Sequence, residues 1–268
     1  MNGFLRSGIT LFRAAITPIL LYSDDCWYGM SKNMVDNVEG IYRKMLYCFL
    51  DIPSKTKYES VLLELGLMKA ENVIASHKIC FINKIWNEDQ DPTNKKLLLR
   101  DHRECNREGN MKSVIDEVNK LCRERGLLPV TNFYYDNEFI KREIIKSNDI
   151  ECWRESMTSR LSTTKMQTVY KYSRYHDFIR SEGRAVLLWR CGALRFKRSW
   201  RNFYERKGKD MSCPHPLCAE FDTLEHAKRC PFMLTKVKWE GNEDKTMASF
   251  ILRLNRERKK YQRCIVTW

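Results

Sequence analysis

Residues 213 to 230 read CPHPLCAEFDTLEHAKRC, which places three cysteines and two histidines within 18 positions. The spacing C-x4-C-x7-H-x3-C singles out Cys213, Cys218, His226 and Cys230. Three thiolates and one imidazole are a donor set that suits tetrahedral Zn2+. Such a site dictates the local chain path. The first two cysteines flank a proline-containing turn that can aim both sulfurs at one point. Asp222 or Thr223 then caps a short helix on which His226 and Cys230, four residues apart, share a face. Pro231 stops that helix. Four protein ligands leave no open position, so the expected role is structural, with metal binding serving as local folding energy. His215 is an alternative ligand in the same stretch.

The remaining cysteines point elsewhere. The chain has eleven, an odd number, scattered along its length. That argues against a disulfide framework and for a reducing compartment, nuclear or cytoplasmic. Cys48, Cys80, Cys122, Cys152 and Cys191 read as small apolar residues of helix-like segments.

Apolar spacing is helical almost throughout, and the expected class is mostly α. Asn33 to Leu50 carries Val38, Ile41, Met45 and Phe49 on one stripe, with Tyr42 and Leu46 beside it, and Asp51, Ile52 and Pro53 end it. Residues 59 to 65 form a short helix closed by Gly66. Residues 70 to 87 form another, with Ile74, Ile79, Ile82 and Trp86 apolar, and Asp91 and Pro92 fall in a polar connection. Met111 to Arg125 presents Val114, Val118 and Leu121 and ends at Gly126, and Phe139 to Arg160 is one long helix or two. No stretch alternates well enough to make a strand. The division expected is 1–90, a helical bundle; 91–160, a helical connector; and 161–268, a basic-aromatic region with the Cys/His module and a basic terminal helix.

No apolar run reaches the roughly 18 residues of a membrane helix. The opening MNGFLRSGITLFRAAITPILLYSDDC mimics a signal peptide, but Arg13 interrupts its apolar run and no small-residue cleavage site follows. Lys and Arg total 48 against 34 Asp and Glu, a net charge of +14, which implies a polyanionic partner. The bases concentrate after Arg184 and interleave with Trp189, Phe196, Trp200, Phe203 and Tyr204. Arg190, Arg195, Lys197, Arg198, Arg201 and Lys207 are the candidates for contact with RNA or single-stranded DNA. Bases neutralise phosphates, and aromatics stack on unpaired bases at roughly 1–3 kcal/mol each. Leu187, Leu188, Leu194 and Trp200 fall at helical spacings that suit a core instead. The tail RLNRERKKYQR is a basic helix that reads equally as a nuclear address, a nucleic-acid patch or a solvated face.

Residues 22 to 25 read YSDD, the pattern of a reverse transcriptase's catalytic turn. Two-metal polymerisation needs a further carboxylate from an upstream strand. Here 21 residues precede Tyr22 and none is Asp or Glu. Asp24 or Asp25 is expected to cap the following turn, not to bind catalytic metal. His77 lies on an apolar helix and is expected in the core; His102 with Cys105 has no second pair; His176 has no acid-base partner. There is no phosphate-cradling glycine loop and no serine-nucleophile elbow, so no small-molecule substrate is expected.

Residues 17 to 68 resemble the segment after the palm in reverse transcriptases of non-LTR (LINE-type) retrotransposons. There the chain runs TPxLLYGxExW, then a helix ending in an LGxPxxT-like turn, then an LxxELG-like phrase. The matching residues are Thr17, Pro18, Leu20, Leu21, Tyr22 and Trp27; Leu50, Ile52, Pro53 and Thr56; and Leu62, Glu64, Leu65 and Gly66. Ser23 and Asp51 stand where the family has glycine. CPHPLCAEFDTLEHAKRCP is similar to the family's terminal CCHC cluster, CPxC…DTxEHxLxxCP, although the first spacing is longer. The likeness covers residues 10 to 87 and 184 to 234 and hardly touches 90 to 160. It implies a thumb-like helical bundle, a zinc-knuckle-like module holding Zn2+, and template-RNA binding without the palm's polymerase motifs. It also implies exposed apolar surface near Phe4 to Leu21, where a palm would pack. Two alternatives are a zinc-stabilised protein-interaction module and a polymerase completed by another chain.

Overall fold

The computed structural model describes residues 4–54, 56–87, 92–108, 113–132, 134–157, 180–191, 193–194, 212–213, 215, 218, 220–234 and 244–264. Its helices in chain order are α1 (Phe4–Leu11), α2 (Thr17–Leu20), α3 (Lys32–Leu50), α4 (Tyr58–Leu65), α5 (Ala70–Asn87), α6 (Pro92–Glu108), α7 (Val114–Glu124), α8 (Asn137–Met157), α9 (Arg180–Arg190), α10 (Leu224–Arg229), α11 (Pro231–Leu234) and α12 (Asp244–Cys264). A π-helical turn, Phe12–Ile16, joins α1 to α2, and a 3-10 turn, Asp24–Cys26, precedes α3. Among the described residues there is no strand, only an antiparallel bridge between Ser212 and Phe221. The protein is thus mostly helical, as its periodicity predicts. No described helix is long and apolar enough to cross a membrane. The described cysteines are free thiols, and of the five read as apolar helix residues Cys48 is instead exposed.

Local chemistry fixes the helix ends. Ser113 caps α7, its hydroxyl accepting from the Asp116 amide at 3.2 Å. Gly66 and Gly126 follow α4 and α7 at φ +60° and +73°, left-handed conformations that cost glycine least.

The chain forms two compact units. One comprises Thr10–Phe49 and Gly66–Ser156; the other comprises Met1–Ile9, Leu50–Leu65 and Met157–Trp268. These do not follow the three consecutive segments expected from sequence. Residues 50–65 join the carboxy-terminal unit, and position 90 is not a boundary.

In the first unit, Ile79 and Ile82 of α5 meet Val118 and Cys122 of α7 and Ile140 and Ile144 of α8. A smaller cluster sets Leu21, Val73 and Ile74 against Trp27 and Val38. Phe12 meets Tyr42 of α3 edge-on, with centroids 5.1 Å apart. Buried amides tie the connections down. Asn83 donates to the Tyr135 carbonyl at 2.8 Å, and Asn148 accepts from the Lys69 amide at 3.0 Å. Two expected stripes are rotated. On α3 the buried residues are Tyr42, Leu46, Tyr47 and Leu50, while Ile41 is 48% exposed. On α7 they are Ile115, Val118 and Cys122, with Val114 and Leu121 at the margin. Near the amino terminus Leu11 and Ile19 are exposed, but Phe12 and Leu21 are buried, so the expected apolar surface is only partly present.

In the second unit, α9 packs against α4 and α12. Val61, Leu62 and Leu65, then Val186 and Leu187, then Met247, Phe250, Ile251 and Leu254 are all buried. Leu188 and Leu194 are buried too, as their spacing suggests, whereas Trp200 lies outside the described residues.

Candidate metal centre

Cys213 precedes the turn, Cys218 closes it, and His226 and Cys230 lie on and just beyond α10. The Cys218 amide donates to the His215 carbonyl at 3.0 Å, and the Cys213 amide to the Glu220 carbonyl at 2.7 Å. These bonds fold the two cysteines toward each other. Thr223 caps α10, accepting from the His226 amide at 3.0 Å, so of the two expected caps this is the one used. The consequence is a cluster in which all four donor atoms lie within 4.8 Å of one another.

Three of its edges are close to those of a tetrahedron. Metal–sulfur bonds of about 2.3 Å set sulfurs about 3.8 Å apart at tetrahedral angles. Cys213 and Cys230 have sulfurs 4.0 Å apart, and so have Cys218 and Cys230. His226 Nε2 lies 3.3 Å from the Cys218 sulfur. The other ring nitrogen, Nδ1, is 2.9 Å from Glu220 Oε2. A carboxylate on one imidazole nitrogen fixes the tautomer and leaves the other nitrogen's lone pair for a metal. Glu220 is a residue the sequence reading missed. The only signal for it was an acid just before a Cys/His helix.

Cys213, His226 and Cys230 are buried. Burial pushes the Cys213 thiol up to about 12, with the nearby Cys230 and Cys218 sulfurs adding to the shift. Three thiolates so close repel one another and lack water, and a cation among them reverses both effects. The donors therefore fit a metal ion. His215 is not part of the cluster; its ring stacks on Phe232 at 4.4 Å. Asp222, the unused cap, is buried and bonded to Arg258 of α12. Among the described residues this is the one group of three or more such side chains placed to hold a metal.

The basic-aromatic candidates divide. Arg195, Lys197, Arg198, Arg201 and Lys207, with Phe196, Phe203 and Tyr204, lie outside the described residues. Arg190 does not offer its charge to a ligand. It is 5% exposed and ion-paired at 2.6 Å with Glu64, itself buried on α4. Trp189 is buried beside it and has no free face for stacking. Both residues are enclosed because α9 is buried all round from Ala185 to Arg190.

Tyr22 to Asp25 form no β-hairpin. Ser23 takes a left-handed φ of 56° and Asp24 begins the 3-10 turn. Asp24 is 3% exposed, and its carboxylate oxygens lie 2.8 and 3.0 Å from His77 Nδ1. That hydrogen bond raises the His77 pKa, burial opposing it. His77 is therefore not a core histidine; its side chain is 48% exposed and is held at the surface by Asp24. Family models, curated proteins and solved structures were each compared with the chain, and none matches it.

Proposed function

We propose that this protein binds RNA or single-stranded DNA without catalysing polymerisation, and that it corresponds to the thumb-to-zinc-knuckle part of a non-LTR retrotransposon reverse transcriptase. Zn2+ is the metal assigned to Cys213, Cys218, His226 and Cys230. Bound there, it would supply folding energy and no chemistry, because four protein donors complete a tetrahedron. Arg195, Lys197, Arg198, Arg201 and Lys207 supply phosphate contacts, and the intervening aromatics offer faces for bases.

The observation that carries this reading is the closed Cys3His cluster following directly on the densest basic-aromatic stretch of a +14 chain. Two backbone angles add support for the parentage. Ser23 and Asp51 stand where the resembled pattern has glycine, and they are the two described non-glycine residues with positive φ, 56° and 53°. Such angles favour glycine, so the backbone keeps a conformation that glycine accounts for. The burial of Asp24 against His77 supports a structural role for the paired acids.

The test uses the full chain. Metal analysis is expected to return one Zn2+ per chain. Anisotropy of a labelled single-stranded oligonucleotide is expected to report affinity falling at least about 100-fold between about 50 and about 200 mM salt, the effect of five or more phosphate contacts. Reversing charge at Arg195, Lys197, Arg198 and Arg201 should remove most of that binding. No binding of the oligonucleotide, with the metal in place, would favour a zinc-stabilised protein-interaction module instead. Primer extension that vanishes in the Asp24→Asn, Asp25→Asn variant would overturn the non-catalytic assignment.

A further inference from the structure

The helix α6 lies where the resemblance hardly reaches, and the sequence reading gave it no role. It is polar and strongly basic. Lys96, Arg100, Arg103 and Arg107 recur at intervals of four, three and four residues. On a helix those intervals put side chains on one face, roughly 5–6 Å apart in sequence. The eleven rises between Lys96 and Arg107 span about 16 Å. All four residues are exposed.

Of the three acids of this helix, Asp101, Glu104 and Glu108, one is turned away from the basic row. Asp101 turns inward, where it accepts from the Val114 amide at the start of α7 at 3.2 Å. His102 turns the same way, 2.8 Å from the Ser113 hydroxyl. Glu104 pairs with Arg100 at 2.7 Å on the surface, and pairs that exposed are weak enough to be exchanged for another anion. Lys96, Arg103 and Arg107 have no carboxylate partner among the described residues. Contacts with α5 and α7 occupy the opposite side of α6. The outward face thus carries a line of four cations, of which Arg100 is paired with an acid among the described side chains.

We propose that this face of α6 is a second phosphate-contacting surface, which takes the backbone of single-stranded nucleic acid along the row Lys96, Arg100, Arg103, Arg107. The inference rests on the reading that the chain binds RNA or single-stranded DNA, and it adds a site remote in sequence from the metal module. A row of point cations one helical turn apart suits a chain that repeats a negative charge every few ångströms. A lipid surface suits it less, because a helix lying on a membrane needs a broad apolar face, and the only large apolar side chain exposed on α6 is Leu97.

The test compares three full-length proteins on a labelled oligo(U) RNA across salt. They are the unaltered chain, the variant Lys96→Gln, Arg100→Gln, Arg103→Gln, Arg107→Gln, and a control that removes equal charge from scattered exposed sites, Lys32→Gln, Lys44→Gln, Lys84→Gln, Arg123→Gln. Thermal melts establish that all three are folded. The row variant is expected to bind at least about tenfold more weakly at low salt and to flatten the slope of log affinity against log salt by about 2.8, four contacts at about 0.7 each. The control is expected to change the slope by less than half of that. Unchanged slope in the row variant overturns the inference and leaves RNA binding standing. So does an equal loss in the control, which would make net charge the cause. A loss seen on phosphatidylserine vesicles but not on RNA overturns it in favour of a membrane-facing surface. Failure of the unaltered chain to bind the RNA removes both the inference and the reading beneath it.

Discussion

The two units bury their charges differently. Around α5, α7 and α8 the interior is mostly apolar, crossed by buried amides such as Asn83 and Asn148, and its ion pairs keep one partner in water. Lys78 meets Glu117 at 2.6 Å with Glu117 part-exposed, and Lys69 meets Glu151 and Glu155 with both acids open to water. In the other unit surface pairs such as Arg184–Asp51 are joined by pairs that lie wholly inside. Arg190–Glu64 and Arg258–Asp222 are buried on both sides, and three of the four metal ligands are buried as well. An apolar core tolerates small losses by partial collapse. A polar interior is stable only while every partner is in place, since an orphaned charge pays for its lost water without return. The unit with the metal cluster should therefore fail abruptly where the apolar unit yields gradually.

The largest effect is expected from the metal ligands. Cys230→Ala removes one thiolate from a cluster where a bound metal would be worth on the order of 10 kcal/mol of apparent binding energy. Metal content should fall to near zero, and α10 and α12 should become sensitive to proteolysis while α5, α7 and α8 stay protected. Loss of protection in both units together would erase the contrast. Next in size is the pair Arg190–Glu64. Glu64→Ala removes the carboxylate facing a buried guanidinium and should cost about 3–5 kcal/mol by urea unfolding. The double replacement Glu64→Leu, Arg190→Met should recover most of that loss.

These buried charges mark the limit of what the residues alone disclose. Helix positions were readable because apolar spacing reports a face, and α5 spans 70 to 87 as its pattern predicts. That Cys213, Cys218, His226 and Cys230 come together was readable because their spacing brings them to one point. The inward side of α3 and of α7 was offset, because a helical side chain leans toward the amino-terminal turn and two adjacent stripes are nearly equal in apolarity. Arg190 looked like a surface base because nothing local reveals that Glu64, far back in the chain, waits for it. α6 was passed over because its apolar residues are confined to Leu97, Leu98 and Leu99, too few to announce a period.

A smaller cost is expected at the rim of the apolar unit. Lys78→Met removes the cation from Glu117 but leaves that carboxylate its bond from the Gly29 amide at 2.7 Å and access to water. The expected loss is about 1.5–3 kcal/mol, the worth of a hydrogen bond to a charged group. A loss as large as that of Glu64→Ala would mean that this rim behaves like the other unit's interior.

The smallest effect belongs to Asp24 and His77, and it has a sign. The hydrogen bond from Asp24 raises the imidazole's pKa in the folded state, burial works against it, and the charges of Asp24 and Asp25 reinforce it. A base whose pKa is higher when folded contributes its stability in full below the unfolded value of about 6.5. That contribution is lost as pH rises through the folded value. Unfolding free energy of the apolar unit should therefore decline from about pH 6 to about pH 8, by under about 1 kcal/mol because His77 is half exposed. Asp24→Asn should flatten the decline and bring the His77 titration, followed by NMR, back toward its ordinary midpoint. If His77 in the unaltered protein titrates at or below that midpoint, the contact with Asp24 is not a charged pair, and the rim of this unit holds one ion pair fewer than its geometry implies.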